Sequence, residues 1–462
     1  MSKILIDLLP AMGHFNSSLK LIQMLQSKGH EIIFIDQGLK AEIAKFGFKT
    51  VTTHFECPPV FLKKDDIRLR KIIKHLFSRI NEELFSDFDN RFQKFKSCMD
   101  EISPDIVLLD EQNMLKAIYY EICKIPVICI ESKPEPCMDL NVPPFTSYFI
   151  PSETFISRFI CAILWTYKII INRLLLTLTG AGFMGNYIYN CTKKTAAPHG
   201  IDLEKKICLK RSYGIGIKGI PRLNVSADAF DFKRKKPEST RNIGPLLTID
   251  REGGNDQLRY NVLRSYLIWF RKSNTGSVIY CSLGSHNVMF QKELSCFFIK
   301  LKRVALESRD DLFILSTGDE FDPIKLWPIP DNMYVFEYVP QTNLLGYCDI
   351  MITHGGINSI TECIFNEIPT LNYPVSKDWD QPGCSARVMY HKIGLRGRIF
   401  KDSPKTIIKK LEILKSNSVF YKKNIRKMKK QFEKKNNSLE GVEIIEDWIR
   451  QNQNKYELCK FQ

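Results

Sequence analysis

Short apolar runs alternate with segments of helical period along the first part of the sequence. Residues 4–9 and 31–36 are two such runs, each suited to a strand buried in a parallel sheet. Residues 18–27 lie between them and place their apolar side chains at helical spacing. A strand, a helix and a second strand in this order form a βαβ unit. Because further apolar runs follow at 106–109 and 127–130, the first half is predicted to be a doubly wound α/β domain.

A second alternation of the same kind starts at residue 277. Its predicted strands are 277–281, 312–316, 333–336, 351–353 and 369–373, and its predicted helices are 292–307 and 357–365. Charged residues, proline and paired glycines gather between 232 and 256, which is typical of a linker. We therefore predict an N-terminal domain at 1–235, a linker at 236–258, a C-terminal domain at 259–435 and a C-terminal helix or tail at 436–462.

The chain is basic, with 67 Lys and Arg against 51 Asp and Glu and a formal net charge of +16. Its hydrophobic content of 44% and charged content of 26% exclude a disordered or collagen-like protein. About half of the positive excess lies in residues 401–462, which lack the interleaved aromatic side chains of a nucleic-acid platform. We therefore expect no nucleic-acid partner, while peripheral contact with a membrane surface stays open.

None of the 14 cysteines stands in a Cys-x-x-Cys pair, so the sequence offers no zinc or thioredoxin-like motif. The first residues form too short an apolar run for a signal peptide, and we expect a cytoplasmic protein with membrane association left open. The most apolar stretch, 155–178, is interrupted by Arg158, Lys168 and Arg173, so a membrane-spanning helix is not expected. One or two buried helices are the favoured interpretation, with an apolar ligand wall or a membrane-surface patch as alternatives.

A glycine turn follows the apolar run at 351–353 and precedes a predicted helix. The turn consists of His354, Gly355 and Gly356. Two glycines let backbone N–H groups approach a ligand closely, and the helix N-terminus adds about half a positive charge, so the turn suits a phosphate. Further hydrogen-bond donors follow on the helix. An ordinary turn before a capped helix would explain each of these residues by itself, but not the whole surrounding sequence.

That string, from Tyr338 to Gln381, resembles the donor-binding signature of UDP-dependent glycosyltransferases. The residues that match in order and spacing are Tyr338, Pro340, Gln341, His354, Gly356, Asn358, Ser359, Glu362, Pro369, Pro374, Asp380 and Gln381. Residues 380–395 are most similar to bacterial members related to macrolide and carotenoid glycosyltransferases. Tyr338 departs from the Trp that stacks on uracil in many members, so the nucleobase stays open.

The resemblance implies a GT-B fold, in which two Rossmann-like, doubly wound parallel-sheet domains face a cleft, with C-terminal helices. It also implies that His354, Asn358 and Ser359 contact the pyrophosphate. Glu362 would contact the ribose, and Asp380 and Gln381 the sugar hydroxyls. The predicted donor-binding residues are Gly284, Ser285, Tyr338, Val339, Gln341, His354, Gly355, Gly356, Asn358, Ser359, Glu362, Asp380 and Gln381.

His14 follows the first predicted strand, at the edge where open α/β sheets bind ligands. An imidazole suits the removal of a proton from an acceptor hydroxyl, and its charged form needs a partner. Asp110, at the end of another strand, is the predicted partner, with Asp105 and Glu111 as alternatives. The resemblance implies the same roles, because family members use the corresponding His as base and a later Asp to orient it.

These features predict an inverting glycosyltransferase that moves a hexose, with glucose favoured, from a UDP-sugar to a hydroxyl of a small lipophilic acceptor. Residues 137–189 are the candidate acceptor wall. No cofactor or metal is expected, and the Asp-x-Asp spacing of Asp378 and Asp380 is interpreted as coincidence. The alternatives are another GT-B nucleotide-sugar enzyme, such as an epimerase or a lipid-linked-sugar transferase, and a basic peripheral protein that binds without catalysis.

Overall fold

Two parallel β-sheets carry the architecture of the protein. The computed structural model describes residues 1–53, 55, 82–179, 185–235, 237–248, 257–273, 276–284, 290–318 and 321–460.

The first sheet has seven parallel strands in the order β3-β2-β1-β4-β5-β8-β9. The strands of the first half are β1 (Lys3–Asp7), β2 (Glu31–Ile35), β3 (Lys49–Val51), β4 (Ile106–Asp110), β5 (Val127–Glu131), β6 (Ile207–Cys208), β7 (Gly216–Ile217), β8 (Arg222–Ala227) and β9 (Thr240–Gly244). β6 and β7 form a separate antiparallel pair.

The second sheet has six parallel strands in the order β12-β11-β10-β13-β14-β15. Its strands are β10 (Val278–Ser282), β11 (Leu312–Ser316), β12 (Met333–Phe336), β13 (Ile350–Thr353), β14 (Thr370–Asn372) and β15 (Gly394–Arg396). Both sheets therefore have the parallel, doubly wound form that the alternation predicts, and the predicted α/β class is confirmed.

Helices cover both faces of each sheet, so each sheet has two apolar layers. In the first half they are α1 (Met12–Ser27), α2 (Lys40–Ala44), α3 (Glu82–Ile102), α4 (Lys116–Ile122), α5 (Phe155–Thr179), α6 (Gly185–Ala196) and α7 (Leu203–Lys206). In the second half they are α8 (Gln257–Ser273), α9 (Gln291–Glu307), α10 (Gln341–Leu345), α11 (Ile357–Phe365), α12 (Gln381–Tyr390), α13 (Pro404–Ser416), α14 (Ser418–Asn436) and α15 (Glu440–Lys460).

Helix α1 begins earlier than the sequence pattern predicts. The apolar period becomes visible at Leu19, but the helix starts at Met12 and so includes His14. The backbone N–H groups of His14 and Phe15 already donate to the carbonyl of Ala11, at 3.0 and 3.1 Å. His14 therefore lies in a regular helical turn rather than in the preceding loop.

The predicted linker at 236–258 starts too early. β9 (Thr240–Gly244) pairs with β8 along its length and completes the first sheet, so residues 240–244 belong to the first domain. The chain also returns to this domain at its end, because Val442, Ile445 and Ile449 of α15 pack into the core beside α1. A strand with Thr, Arg and Asn lacks the apolar run that a buried central strand shows, and this is why composition placed it in the linker.

The apolar stretch after residue 154 forms one continuous helix, α5, but not a buried one. Among the described residues, Phe155–Leu174 is the one segment long and apolar enough to cross a membrane by length and composition, and 22% of it is buried. The prediction of buried helices is therefore wrong for this segment. The helix packs against the protein along one stripe and leaves most of its apolar side chains exposed.

Candidate active site

A histidine and an aspartate meet at the carboxyl edge of the first sheet. β1 and β4 are neighbouring parallel strands, so the segments that follow them lie side by side. His14 follows β1 in the first turn of α1, and Asp110 is the last residue of β4. His14 Nδ1 lies 2.8 Å from Asp110 Oδ2, and the other ring nitrogen, Nε2, points away from the carboxylate. The two predicted catalytic residues are thus in contact, while their chemical role stays a prediction.

Asp110 is buried, and a second hydrogen bond fixes it, since the backbone N–H of Gln112 donates to Oδ1 at 2.8 Å. Burial alone would raise the pKa of Asp110. The charge and hydrogen bond of His14, the backbone hydrogen bond from Gln112 and the charge of Lys133 together outweigh burial, so the pKa of this carboxyl lies below its ordinary value. An ionised Asp110 can hold the imidazole in one orientation and stabilise its protonated form.

The two alternative carboxylates have other partners. Asp105 precedes β4, at the opposite end of the strand, where its Oδ2 accepts from the backbone N–H of Lys3 at 2.7 Å. Glu111 accepts from Lys133 Nζ at 2.7 Å and from Ser132 Oγ at 3.0 Å. Asp110 is therefore the carboxylate bonded to His14.

The glycine turn between β13 and α11 is shaped around the ring of His354. A side chain on Gly356 would place its Cβ 2.5 Å from His354 Nε2. A Cβ on Gly284 would lie 3.0 Å from His354 Cε1, and Gly284 has a φ of +99°. Two glycines thus leave room for the imidazole at the N-terminus of α11, where the backbone N–H groups favour an anion. Ser285, also predicted at this site, lies outside the described residues.

A hydrogen-bonded group of polar side chains lies behind this turn. Gln341 Nε2 donates to Glu362 Oε2 at 2.6 Å and to Ser359 Oγ at 3.3 Å, and Gln341 Oε1 accepts from Tyr280 OH at 3.1 Å. Glu362 is buried on α11. The structure therefore brings together three of the predicted donor-binding residues, and Gln341 holds the Glu362 carboxylate in place. Two further predicted donor-binding residues precede Gln341 in the sequence. Tyr338 is 38% exposed, whereas Val339 packs against the core.

Gln381 has a structural role that the sequence does not reveal. Its Oε1 accepts from the backbone N–H groups of Val375 and Ser376, at 2.8 and 3.0 Å, and this fixes the loop before α12. The oxygen of this side chain is therefore already engaged. Asp380, half-buried at the start of α12, lies close enough to Lys133 for their charges to interact.

The two domains are connected directly at the site. Asn358 Nδ2, in the first turn of α11, donates to the carbonyl of Gly13 at 2.7 Å. Gly13 precedes His14, so the predicted donor helix of the second domain contacts the helix that carries the predicted base. A second connection, away from the turn, joins Arg387 of α12 to Asp231, with Nη2 and Nε 2.6 and 2.9 Å from Oδ1.

Lys133 is a charged residue of the candidate site that was not predicted from the sequence. It follows β5, and its Nζ lies 4.8 Å from the ring centroid of Tyr213 in addition to its bond with Glu111. Burial would lower the pKa of Lys133, but the charges of Glu111, Asp380 and Asp110 outweigh it and raise the pKa. Lys133 thus supplies one positive charge among three carboxylates. Its position two residues after the buried strand β5, at the same sheet edge as Asp110, could have identified it.

No group of three or more His, Cys, Asp and Glu side chains that could hold a metal ion occurs in the part of the chain that the structure describes. Asp378 and Asp380 do not form part of such a group there. The polar groups at the turn are instead hydrogen-bond donors, which suit an anion.

Part of the chain is similar to known proteins. Residues 273–440 match the family model described as "UDP-glucoronosyl and UDP-glucosyl transferase". The chain is 32% identical over 177 residues to the uncharacterized UDP-glucosyltransferase YdhE of Bacillus subtilis (strain 168), an alignment that covers 38% of this chain and 42% of that protein. It is 36% identical over 69 residues to the zeaxanthin glucosyltransferase of Pantoea ananas, covering 15% of this chain and 16% of that protein. These alignments span less than half the length of the relatives.

The fold is similar to solved structures over nearly its whole length. The glycosyltransferase of kitacinnamycin has a TM-score of 0.66 at 19% sequence identity, and the match covers 96% of this chain and 98% of that one. The two parallel-sheet domains thus have the GT-B fold. Within that fold, residues 273–440 are similar to the UDP-glucuronosyl and UDP-glucosyl transferase family model.

Proposed function

We propose that the protein is an inverting glycosyltransferase that moves a hexose, with glucose as the first candidate, from a UDP-sugar to a hydroxyl of a small lipophilic acceptor. The observation that carries this proposal is the His14–Asp110 pair, 2.8 Å apart and tied through Gly13 to the anion-binding turn of the second domain. A base and an anion site held across one cleft are what direct glycosyl transfer requires.

His14 acts on the acceptor. Its Nε2 accepts the proton of the acceptor hydroxyl as that oxygen attacks the anomeric carbon, and Asp110 stabilises the imidazolium that forms. The new C–O bond forms on the face opposite the departing diphosphate, so the anomeric configuration inverts. General base catalysis of this kind contributes about 10²–10⁴ in rate.

The second domain acts on the donor. The bond from the anomeric carbon to the diphosphate breaks, and the negative charge left on the diphosphate is stabilised by His354, by the N–H groups of the Gly355–Gly356 turn and by the α11 N-terminus. Asn358 and Ser359 donate further hydrogen bonds to the same diphosphate. This electrostatic arrangement needs neither a metal nor a further cofactor.

The remaining donor contacts are assigned to groups around that turn. Glu362, held by Gln341, accepts hydrogen bonds from the ribose hydroxyls. Tyr338 offers an exposed aromatic face to the nucleobase, and Val339, which packs against the core, follows it in the chain. Asp380 and Gln381 contact the hexose. Gln381 donates a hydrogen bond to it through its side-chain nitrogen, because its oxygen already accepts two backbone hydrogen bonds.

The acceptor is proposed to lie between the domains against residues 137–189. A lipophilic acceptor is supported by the relative named for zeaxanthin. A cytoplasmic location is proposed because each of the twelve cysteines whose side chains are described is a free thiol.

The test combines a panel of UDP-sugars and a TDP-sugar with a mixture of hydroxylated lipophiles, read by mass spectrometry. We expect one hexosyl group to be gained, with UDP-glucose the best donor, and a β-linked product from the α-linked donor by NMR. Turnover should persist with a chelator. A protein that modifies no acceptor and hydrolyses no donor would contradict the proposal, and a retained configuration or a strict metal requirement would contradict its mechanism.

A further inference from the structure

Helix α5 exposes more apolar surface than an ordinary surface helix. Its fully buried residues in the described part are Ser157, Cys161, Trp165 and Asn172, and Trp165 is the one large apolar side chain among them. A helix on the surface of a globular protein normally buries its apolar stripe and exposes polar residues. In α5, seven large apolar side chains are instead exposed.

The outward side chains form one continuous surface, which we call the apolar face. It consists of Phe155, Ile156, Phe159, Ile163, Tyr167, Ile170 and Leu174, with exposures of 82, 70, 58, 53, 66, 52 and 46%. From Ile156 onward these residues recur every three or four positions, so they share one side of the helix. A monomeric protein rarely leaves so long an apolar surface uncovered unless it binds a partner.

The helix is fixed to the first domain along its inner stripe. Trp165 Nε1 donates to the carbonyl of Val142 at 2.7 Å. Asn172 Nδ2 donates to the carbonyls of Leu209 and Arg211, at 2.9 and 3.0 Å. These bonds would break if α5 inserted across a bilayer. The helix is therefore placed to lie along a surface rather than to span it.

The charges on α5 favour one kind of partner. All its charged residues, Arg158, Lys168 and Arg173, are basic. A second copy of the helix would bring like charges together, whereas a bilayer containing anionic lipid complements them. The net charge of +16 adds attraction to such a surface. A tyrosine in the middle of the face also suits the boundary between lipid and water.

The helix lies near the cleft between the domains. The segment before it, at Phe145 and Tyr148, contacts the second domain, since Arg396 Nη1 donates to the carbonyl of Tyr148 at 2.9 Å and the Phe145 carbonyl lies against Gly383. Burial lowers the pKa of Lys168, and the charge of Asp378, in the loop before α12, partly offsets this. A surface bound to α5 would therefore lie beside the cleft.

We propose that the apolar face of α5 docks the protein on the surface of a bilayer that contains anionic lipid. The docking itself does not depend on the proposed reaction. Resting on the proposed function, it would bring the cleft next to an acceptor dissolved in the membrane.

Co-sedimentation of the full chain with vesicles tests the docking, without donor or acceptor. We compare phosphatidylcholine vesicles with and without phosphatidylglycerol. The test variant is Phe159→Ser/Ile163→Ser/Tyr167→Ser. The matched control, Leu258→Ser/Val262→Ser/Trp269→Ser, removes equally exposed apolar side chains from α8, where the exposures are 81, 66 and 55%.

We expect the natural protein and the control to sediment with the anionic vesicles, and the face variant to lose at least about tenfold in partitioning. The Arg158→Gln variant should weaken binding to anionic vesicles and leave the weaker binding to neutral ones unchanged. Circular dichroism checks that every variant is folded. A natural protein that stays in the supernatant, or a face variant that sediments equally, would overturn the proposal. So would light scattering that shows a dimer which the face variant converts to a monomer. Each of these results would leave the proposed reaction standing.

Discussion

The side-chain amide of Asn358 donates to the backbone carbonyl of Gly13 at 2.7 Å, and so joins the helix that follows the His354–Gly356 turn to the helix that carries His14. This hydrogen bond connects the two domains at the candidate site. In the proposed mechanism Asn358 also contacts the diphosphate, and it would then align the two reactants.

Replacing Asn358 by Ala should affect both halves of the reaction. Loss of a hydrogen bond to a charged group costs about 1.5–3 kcal/mol, so we expect kcat/KM to fall by about 10- to 100-fold, together with weaker UDP binding by calorimetry. The control is Asn366→Ala at the other end of α11, whose Nδ2 donates to the Glu362 carbonyl at 2.9 Å. Unchanged turnover and UDP affinity in Asn358→Ala would contradict a role for Asn358 in the reaction.

Replacing Asp110 by Asn should impair turnover more than binding. The amide can donate to His14 Nδ1, which moves the ring proton to Nε2 and removes the acceptor that the mechanism needs. We expect kcat to fall at least about 10²-fold with UDP affinity retained. Asp105→Asn, at the other end of β4, is the control, since its carboxylate bonds to the backbone of Lys3. Equal activity of the two variants would contradict the assignment.

Asp110→Asn should also change how the thermal stability of the protein depends on pH. The pKa of Asp110 is lowered in the folded protein, so its pairing contributes stability above the unfolded value of about 3.9 and loses it as the pH falls through the folded value. The difference in Tm between the natural protein and Asp110→Asn should be present at neutral pH and shrink below about pH 4. A difference that grows on acidification would contradict the sign of the pKa shift.

Replacing Gly356 by Ala should weaken donor binding. The new Cβ would lie 2.5 Å from His354 Nε2, so the imidazole would have to shift. We expect UDP affinity to fall by about tenfold, equivalent to about 1.4 kcal/mol, in isothermal titration. Gly346→Ala is the matched control, because its Cβ would lie 3.8 Å from the nearest atom, the Asn343 carbonyl oxygen. Unaltered UDP binding by Gly356→Ala would contradict the proposed contact between His354 and the diphosphate.

Replacing Asp231 by Ala should destabilise the protein as a whole. Arg387 is buried, with its guanidinium 3.9 Å from the ring centroid of Phe145, and Asp231 supplies its counter-charge. Removal of one partner of a buried ion pair costs about 3–5 kcal/mol, which calorimetry would show as a lower Tm. Glu153→Ala breaks an exposed pair with Lys233 and should leave Tm unchanged. Equal Tm values for both variants would contradict a stabilising role for Asp231.

Local sequence patterns were sufficient for most of the fold. The buried strands of parallel sheets, such as β4 and β11, are short apolar runs that can be read without tertiary information. Asp110 could be proposed as the partner of His14 because it closes an apolar strand and because the family resemblance implies such a pair, with Asp105 and Glu111 as alternatives. The glycine turn could be read because Gly355 and Gly356 stand at a strand-to-helix junction.

Contacts between distant segments could not be read in this way. The bonds from Asn358 to Gly13 and from Arg387 to Asp231 depend on how the domains pack, and no local pattern encodes that. Gln381 matched a binding motif, yet its oxygen holds a loop whose backbone path the sequence does not show. The exposure of α5 was missed because hydropathy alone does not say which side of a helix faces the protein.

The central claim is that His14 is the base that activates the acceptor, and one comparison tests it most directly. Turnover and UDP affinity are measured for the natural protein and for His14→Ala. The proposed mechanism predicts that turnover falls by about 10²–10⁴ while UDP binds as before, because the donor turn lies on the other domain. Undiminished turnover in His14→Ala would contradict it.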